Sequence, residues 1–166
     1  MVTNSRLTGV AAAVALVLAV AVANAQPGAP QFLKIVPRVS APATAGKPFT
    51  IDVAVSVDAP YHIQGNPSKE GYITTELEIA PTRGFKVDKV VYPKPTLATI
   101  SGDRLPVYHG KIAILVTLTP DKTVTPGRYM LPLTLKYQGC DEQKCFPPST
   151  RTVKAAVTVK AGARRT

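Results

Sequence analysis

Phe49-Thr50-Ile51-Asp52-Val53-Ala54-Val55-Ser56-Val57 decides the fold. Phe49, Ile51, Val53, Val55 and Val57 alternate with Thr50, Asp52, Ala54 and Ser56. A period of two puts the apolar set on one face of a pleated strand and the mixed set on the other, the pattern of a half-buried sheet.

The same alternation recurs on both sides of this run. Downstream, Ile112, Ile114, Val116 and Leu118 share one face, as do Tyr129, Leu131, Leu133, Leu135 and Tyr137, and finally Val153, Ala155, Val157 and Val159. Shorter strands are expected at Tyr72 to Ile79 and Phe85 to Tyr92; Tyr61 to Gln64 stands between a proline and a turn, and Leu97 to Pro106 reads as irregular. Upstream, Phe32 to Val39 is a strand interrupted by Pro37, which places it at a sheet edge. Turns fall at Ala41 to Pro48, Gly65-Asn66-Pro67, Pro81 to Gly84 and Pro120 to Gly127. About seven to nine short strands between Pro/Gly turns, with no amphipathic helix, predict an all-β sandwich, with a barrel as the other candidate. The chain has no Trp and only two Cys, close in sequence, so the sheet-spanning disulfide and packed Trp of antibody domains are excluded. No internal repeat or second domain is visible.

At the N-terminus, Arg6 precedes an uncharged apolar run from Val10 to Val22 that ends in Ala23-Asn24-Ala25. This is the layout of a secretory signal peptide over residues 1–25, cleaved after Ala25. The run is too short for a membrane anchor, and no second one follows, so no transmembrane segment is expected after cleavage. The domain then spans residues 26–160, with a basic tail at 161–166. The formal net charge is +10. Lys and Arg are scattered, with no basic stripe or aromatic stacking motif, which speaks for a solvated basic surface and against nucleic-acid binding.

The chemistry concentrates in Tyr137-Gln138-Gly139-Cys140-Asp141-Glu142-Gln143-Lys144-Cys145-Phe146-Pro147-Pro148, between two alternating segments. The cysteines therefore sit on a hairpin-like loop. A disulfide there would close a small ring, worth only about 2 kcal/mol by chain entropy. Two readings stand on spacing alone: a local structural bridge of a secreted domain, or an accessible redox pair. A metal site would need two more ligands, and the only histidines, His62 and His109, lack metal-finger spacing; no metal or cofactor is expected. Lys144 favours a thiolate at Cys145, whereas Asp141 and Glu142 oppose one at Cys140.

Tyr-Gln-Gly-Cys, a polar spacer and Cys-Phe-Pro-Pro resemble the active-site hairpin of the N-terminal periplasmic domain of the thiol:disulfide interchange protein DsbD. The likeness runs from about Phe32 to Val159, with only the cysteine hairpin specific. The resemblance implies an immunoglobulin-like β-sandwich and a periplasmic protein-disulfide reductase. Electrons would pass through a Cys140/Cys145 dithiol–disulfide pair, with Cys145 forming mixed disulfides and Cys140 resolving them. It implies thioredoxin-fold periplasmic partners, such as disulfide isomerases or cytochrome c maturation factors. The full family protein continues into membrane helices and a thioredoxin-like domain, so a separate module would need a reductant, a membrane electron carrier or a thioredoxin-fold protein. The family shields its pair with an aromatic-bearing cap loop; here Val107-Tyr108-His109-Gly110 takes that place, with Tyr108 as cap residue. Leu105-Pro106-Val107 replaces the acidic residues expected before it, which leaves an acid's role vacant or filled elsewhere, with His109 as the candidate. Tyr61 and His62 resemble the aromatic-rich segment lining the family's site, with His62 either a proton donor or a hydrogen-bonded structural histidine. Phe146 forms an apolar collar beside the sulfur. The competing function is a non-enzymatic secreted sandwich, a binding or chaperone-like module with a structural disulfide.

Overall fold

A computed structural model describes residues 31–162, so the expected signal peptide lies outside the described residues, as does all of the tail but 161 and 162. Twelve strands follow in order: β1 (Leu33–Arg38), β2 (Ala43–Thr44), β3 (Phe49–Val57), β4 (His62–Gln64), β5 (Glu76–Ile79), β6 (Phe85–Val91), β7 (Thr96–Ile100), β8 (Asp103–Tyr108), β9 (Gly110–Pro120), β10 (Gly127–Tyr137), β11 (Gly139–Cys140) and β12 (Ser149–Lys160). They form three four-stranded sheets, ordered β1-β3-β9-β6, β2-β12-β10-β5 and β11-β4-β8-β7.

The first two sheets make an immunoglobulin-like sandwich, and alternation sets its core. Ile51, Val53, Val55, Val57, Ile114, Val116 and Leu118 come from one sheet, and Leu131, Leu133, Leu135, Ala155, Val157 and Val159 from the other; all are buried together. A one-residue slip would turn each set to solvent, so the hydrophobic pattern also fixes the register. β1 lies at a sheet edge with Pro37 in it, as expected. The opposite edge, β6, carries Lys86, Lys89 and a register shift between Val87 and Lys89, features that discourage pairing with another chain.

Two expectations are corrected. Residues 72–75 lie outside any strand; the segment becomes β5 only at Glu76. Leu97 to Pro106 is not irregular but belongs to the β7–β8 hairpin, closed by Ser101 (φ 51°) and Gly102 (φ 87°). Positive φ at both central residues matches the right-handed twist of a tight hairpin. The prolines at 93, 95 and 106 obscured this in the sequence.

Candidate redox site

β10 and β12 pair without a break from Gly127↔Val159 to Tyr137↔Ser149, the longest ladder among the described residues. Residues 138–148 leave its end as a loop, which folds onto the third sheet rather than continuing the ladder. Gly139 pairs with Ile63 and Cys140 with His62. Cys140 and Cys145 face each other across a small hairpin and are joined by a disulfide, with Cα atoms 3.9 Å apart. Its turn is fixed by Asp141, whose Oδ1 accepts from the Gln143 and Lys144 N–H groups, both at 2.8 Å. These two donors hold the Asp141 carboxyl below the usual carboxylate range. Phe146 N–H donates to the Gly139 carbonyl at 2.7 Å and closes the hairpin's base.

An aromatic layer anchors that base. Phe32 stacks on Tyr61 with centroids 4.5 Å apart, and Tyr137 and Phe146 meet the same ring. Gly139 is needed here, because a Cβ at this position would lie 2.2 Å from the Phe32 ring. Tyr61 and Phe146 are thus brought together beneath the hairpin, with the Lys144 ammonium 5.9 Å from the Phe146 ring centroid. Phe32 was visible in the sequence only as a strand residue.

The two sulfurs differ in exposure. Cys140 is fully buried against Ile100, Leu105 and Val107, while Cys145 is partly exposed. Ile100 belongs to the β7–β8 hairpin, whose Ser101 N–H donates to the Glu142 carbonyl at 3.3 Å. This hairpin lies over the buried sulfur. Tyr72 packs on the same cluster and donates its hydroxyl to Asp103 at 3.0 Å; Lys69 pairs with that carboxylate at 2.6 Å.

Tyr108 does not sit over the sulfurs. Successive strand residues face opposite ways, so Val107 meets Cys140 and Tyr108 enters the main core. The Tyr108 hydroxyl donates to the Pro93 carbonyl at 2.8 Å and accepts from Asn66 N–H at 3.1 Å. These bonds hold Tyr108, the expected cap residue, in the main core. Ile100, in the segment expected to be irregular, packs on Cys140 instead.

His62 and His109 meet in a cleft of about 360 Å³ beside the hairpin, lined also by Tyr61 and Glu142. Their ring centroids are 5.8 Å apart. Burial, and then the neighbouring His109, push the His62 pKa down, with Glu142 opposing. Neither imidazole bonds a sulfur among the described residues. The donor to the sulfurs is Gln64, which sequence reasoning missed: its Nε2 is 3.3 Å from Cys140 Sγ and 3.7 Å from Cys145 Sγ. Only the pairing of β4 with β11 reveals that neighbourhood. Among the described residues no group of three or more His, Cys, Asp or Glu side chains could hold a metal ion, and no helix is long and apolar enough to cross a membrane.

Fold and site together define an immunoglobulin-like β-sandwich that presents a bonded cysteine pair on a covered hairpin. The chain belongs to the family described as thiol:disulfide interchange protein DsbD, N-terminal, which matches residues 30–157. Among solved structures it is similar to the N-terminal periplasmic domain of ScsB from Proteus mirabilis, at 12% identity and a TM-score of 0.56. That match covers 75% of this chain but 46% of the other, so this chain spans less than half of its neighbour. It is also similar to the DsbD N-terminal domain of Neisseria meningitidis in its reduced form, at 18% identity, with a TM-score of 0.45 and coverage of 75% and 86%. No curated protein matches the chain.

Proposed function

We propose that this chain is a periplasmic thiol–disulfide exchange module that passes electrons through Cys140 and Cys145 to thioredoxin-fold partners. One observation carries the reading: in a member of this family, a disulfide joins a buried sulfur to a partly exposed one at the tip of a rigid scaffold. Cys145 is the sulfur an incoming protein can reach, and Cys140 resolves the mixed disulfide. In the donating direction, the Cys145 thiolate attacks the partner's disulfide and displaces one partner sulfur as a thiolate. The Cys140 thiolate then attacks Cys145 Sγ and displaces the second. Two electrons leave this chain, its dithiol becomes a disulfide, and the partner's disulfide becomes a dithiol. His62 and His109, in the cleft beside the hairpin, are the groups we assign to proton exchange with solvent. Phe146 and Tyr61 hold the hairpin's base. Export rests on the signal-like residues 1–25, with residues 26–160 as the exported domain. A membrane electron carrier or a thioredoxin-fold protein would re-reduce it.

The test is thiol trapping. A Cys140→Ala variant, mixed with a thioredoxin-fold protein that lacks its own resolving cysteine and carries its remaining cysteine as a thionitrobenzoate mixed disulfide, is expected to release thionitrobenzoate and accumulate a mixed disulfide through Cys145. The alternative, a binding module with a structural bridge, predicts no adduct with any such partner. It also predicts a reduction potential below about −300 mV.

A further inference from the structure

Cys140 lies in surroundings that disfavour charge, among Ile100, Leu105 and Val107. Among the described residues, one side chain donates a hydrogen bond to the sulfurs. The Gln64 carboxamide is fully buried, and its single nitrogen spans both sulfurs. Its Oε1 has no hydrogen-bond partner among the described residues. A buried amide with an orphan oxygen costs more than an apolar side chain of the same shape, so packing alone does not account for glutamine here. The backbone around it is fixed on both sides. Gln64 N–H donates to the Gln138 carbonyl at 3.0 Å, and its own carbonyl accepts the Thr75 hydroxyl. Gly65 N–H donates to the Pro106 carbonyl at 2.7 Å, and a Cβ on Gly65 would fall 2.7 Å from Pro95 Cβ.

We propose that Gln64 is a catalytic residue of the exchange, its side-chain N–H stabilising the thiolate that forms on Cys140 in every turnover. This inference rests on the exchange reading above. When a partner's thiolate attacks Cys145 Sγ, the new intermolecular S–S bond forms as the Cys140–Cys145 bond breaks, and the electron pair leaves on Cys140 Sγ. In the reverse direction that same thiolate attacks Cys145 Sγ and expels the partner's sulfur as a thiolate. Either way, negative charge develops on the buried sulfur. An N–H group binds an anionic sulfur more strongly than a neutral disulfide sulfur, so the Gln64 bond strengthens as the charge develops.

The test compares the full chain with a Gln64→Met variant, which keeps an unbranched side chain of similar size. In the reduced proteins, the pH titration of the Cys140 ¹³Cβ resonance reports thiolate formation directly. Its midpoint is expected to rise by about one pH unit or more in the variant. Reduction of the variant's disulfide by dithiothreitol is expected to be severalfold slower. Overlaid titrations and equal rates would overturn the inference. A reading free of mutation comes from the Gln64 side-chain amide resonances in the reduced wild-type protein. They must shift with the Cys140 midpoint, and a flat response overturns the inference even where Gln64→Met fails to fold. Thioredoxin-fold trapping separates the two readings. A shifted midpoint without partner exchange supports the Gln64 bond and sinks the exchange function. Normal exchange with an unshifted midpoint sinks the Gln64 assignment alone.

Discussion

His62 shows how burial and a second imidazole act together on one side chain. Its protonated form is disfavoured in the folded protein, first by burial and then by His109, while Glu142 opposes them. Its Nδ1 is buried without a partner among the described residues. The folded pKa therefore lies below the ordinary 6.5 of the unfolded chain. Between those two values the unfolded state binds more protons than the folded one, so stability falls as pH drops below 6.5 and levels off beneath the folded pKa. The urea midpoint of the wild type is expected to fall more between pH 7.5 and 5.5 than that of His62→Gln. Equal declines would show that His62 does not carry this dependence. The cysteines were legible in the sequence because they are unique and flanked by a distinctive motif. Gln64 was not, since its hydrogen bond to Cys140 joins positions 76 residues apart.

The β7–β8 hairpin packs three of its residues, Ile100, Leu105 and Val107, on the buried sulfur. Ile100 at its tip packs on Cys140, and Asp103 ties it to the 69–72 segment through Lys69 and Tyr72. These ties are at the surface, so they contribute little to global stability, yet they restrain the cover. Asp103→Ala is expected to speed reduction of the Cys140–Cys145 disulfide by dithiothreitol while barely moving the urea midpoint. An unchanged rate would mean that access to the disulfide does not depend on the clasp. The long strands were legible because each buries one face against a whole sheet, which makes the period of two visible locally. The third sheet was not: β4 and β11 have three and two residues. Their pairing is set by partners distant in the chain, and Pro106 breaks the pattern of β8.

The molecule divides its labour between a core that holds the fold and a bond that need not. The buried residues joining the two main sheets pack without help from either sulfur, and the disulfide closes only the 140–145 loop. Chain entropy assigns that small ring about 2 kcal/mol. Truncating one core residue, as in Leu133→Ala, is expected to cost about 2–5 kcal/mol in urea unfolding, as much as or more than removing the bridge. The reduced protein should therefore keep its sandwich. Thermal unfolding followed by circular dichroism, with and without dithiothreitol, is expected to give one cooperative transition in each case. The reduced form should melt lower by no more than about 10 °C. The proposed carrier role requires a protein that is folded in both redox states. Loss of the β-sheet signal on reduction at room temperature would make the bridge a structural staple and remove the basis for electron transfer through it.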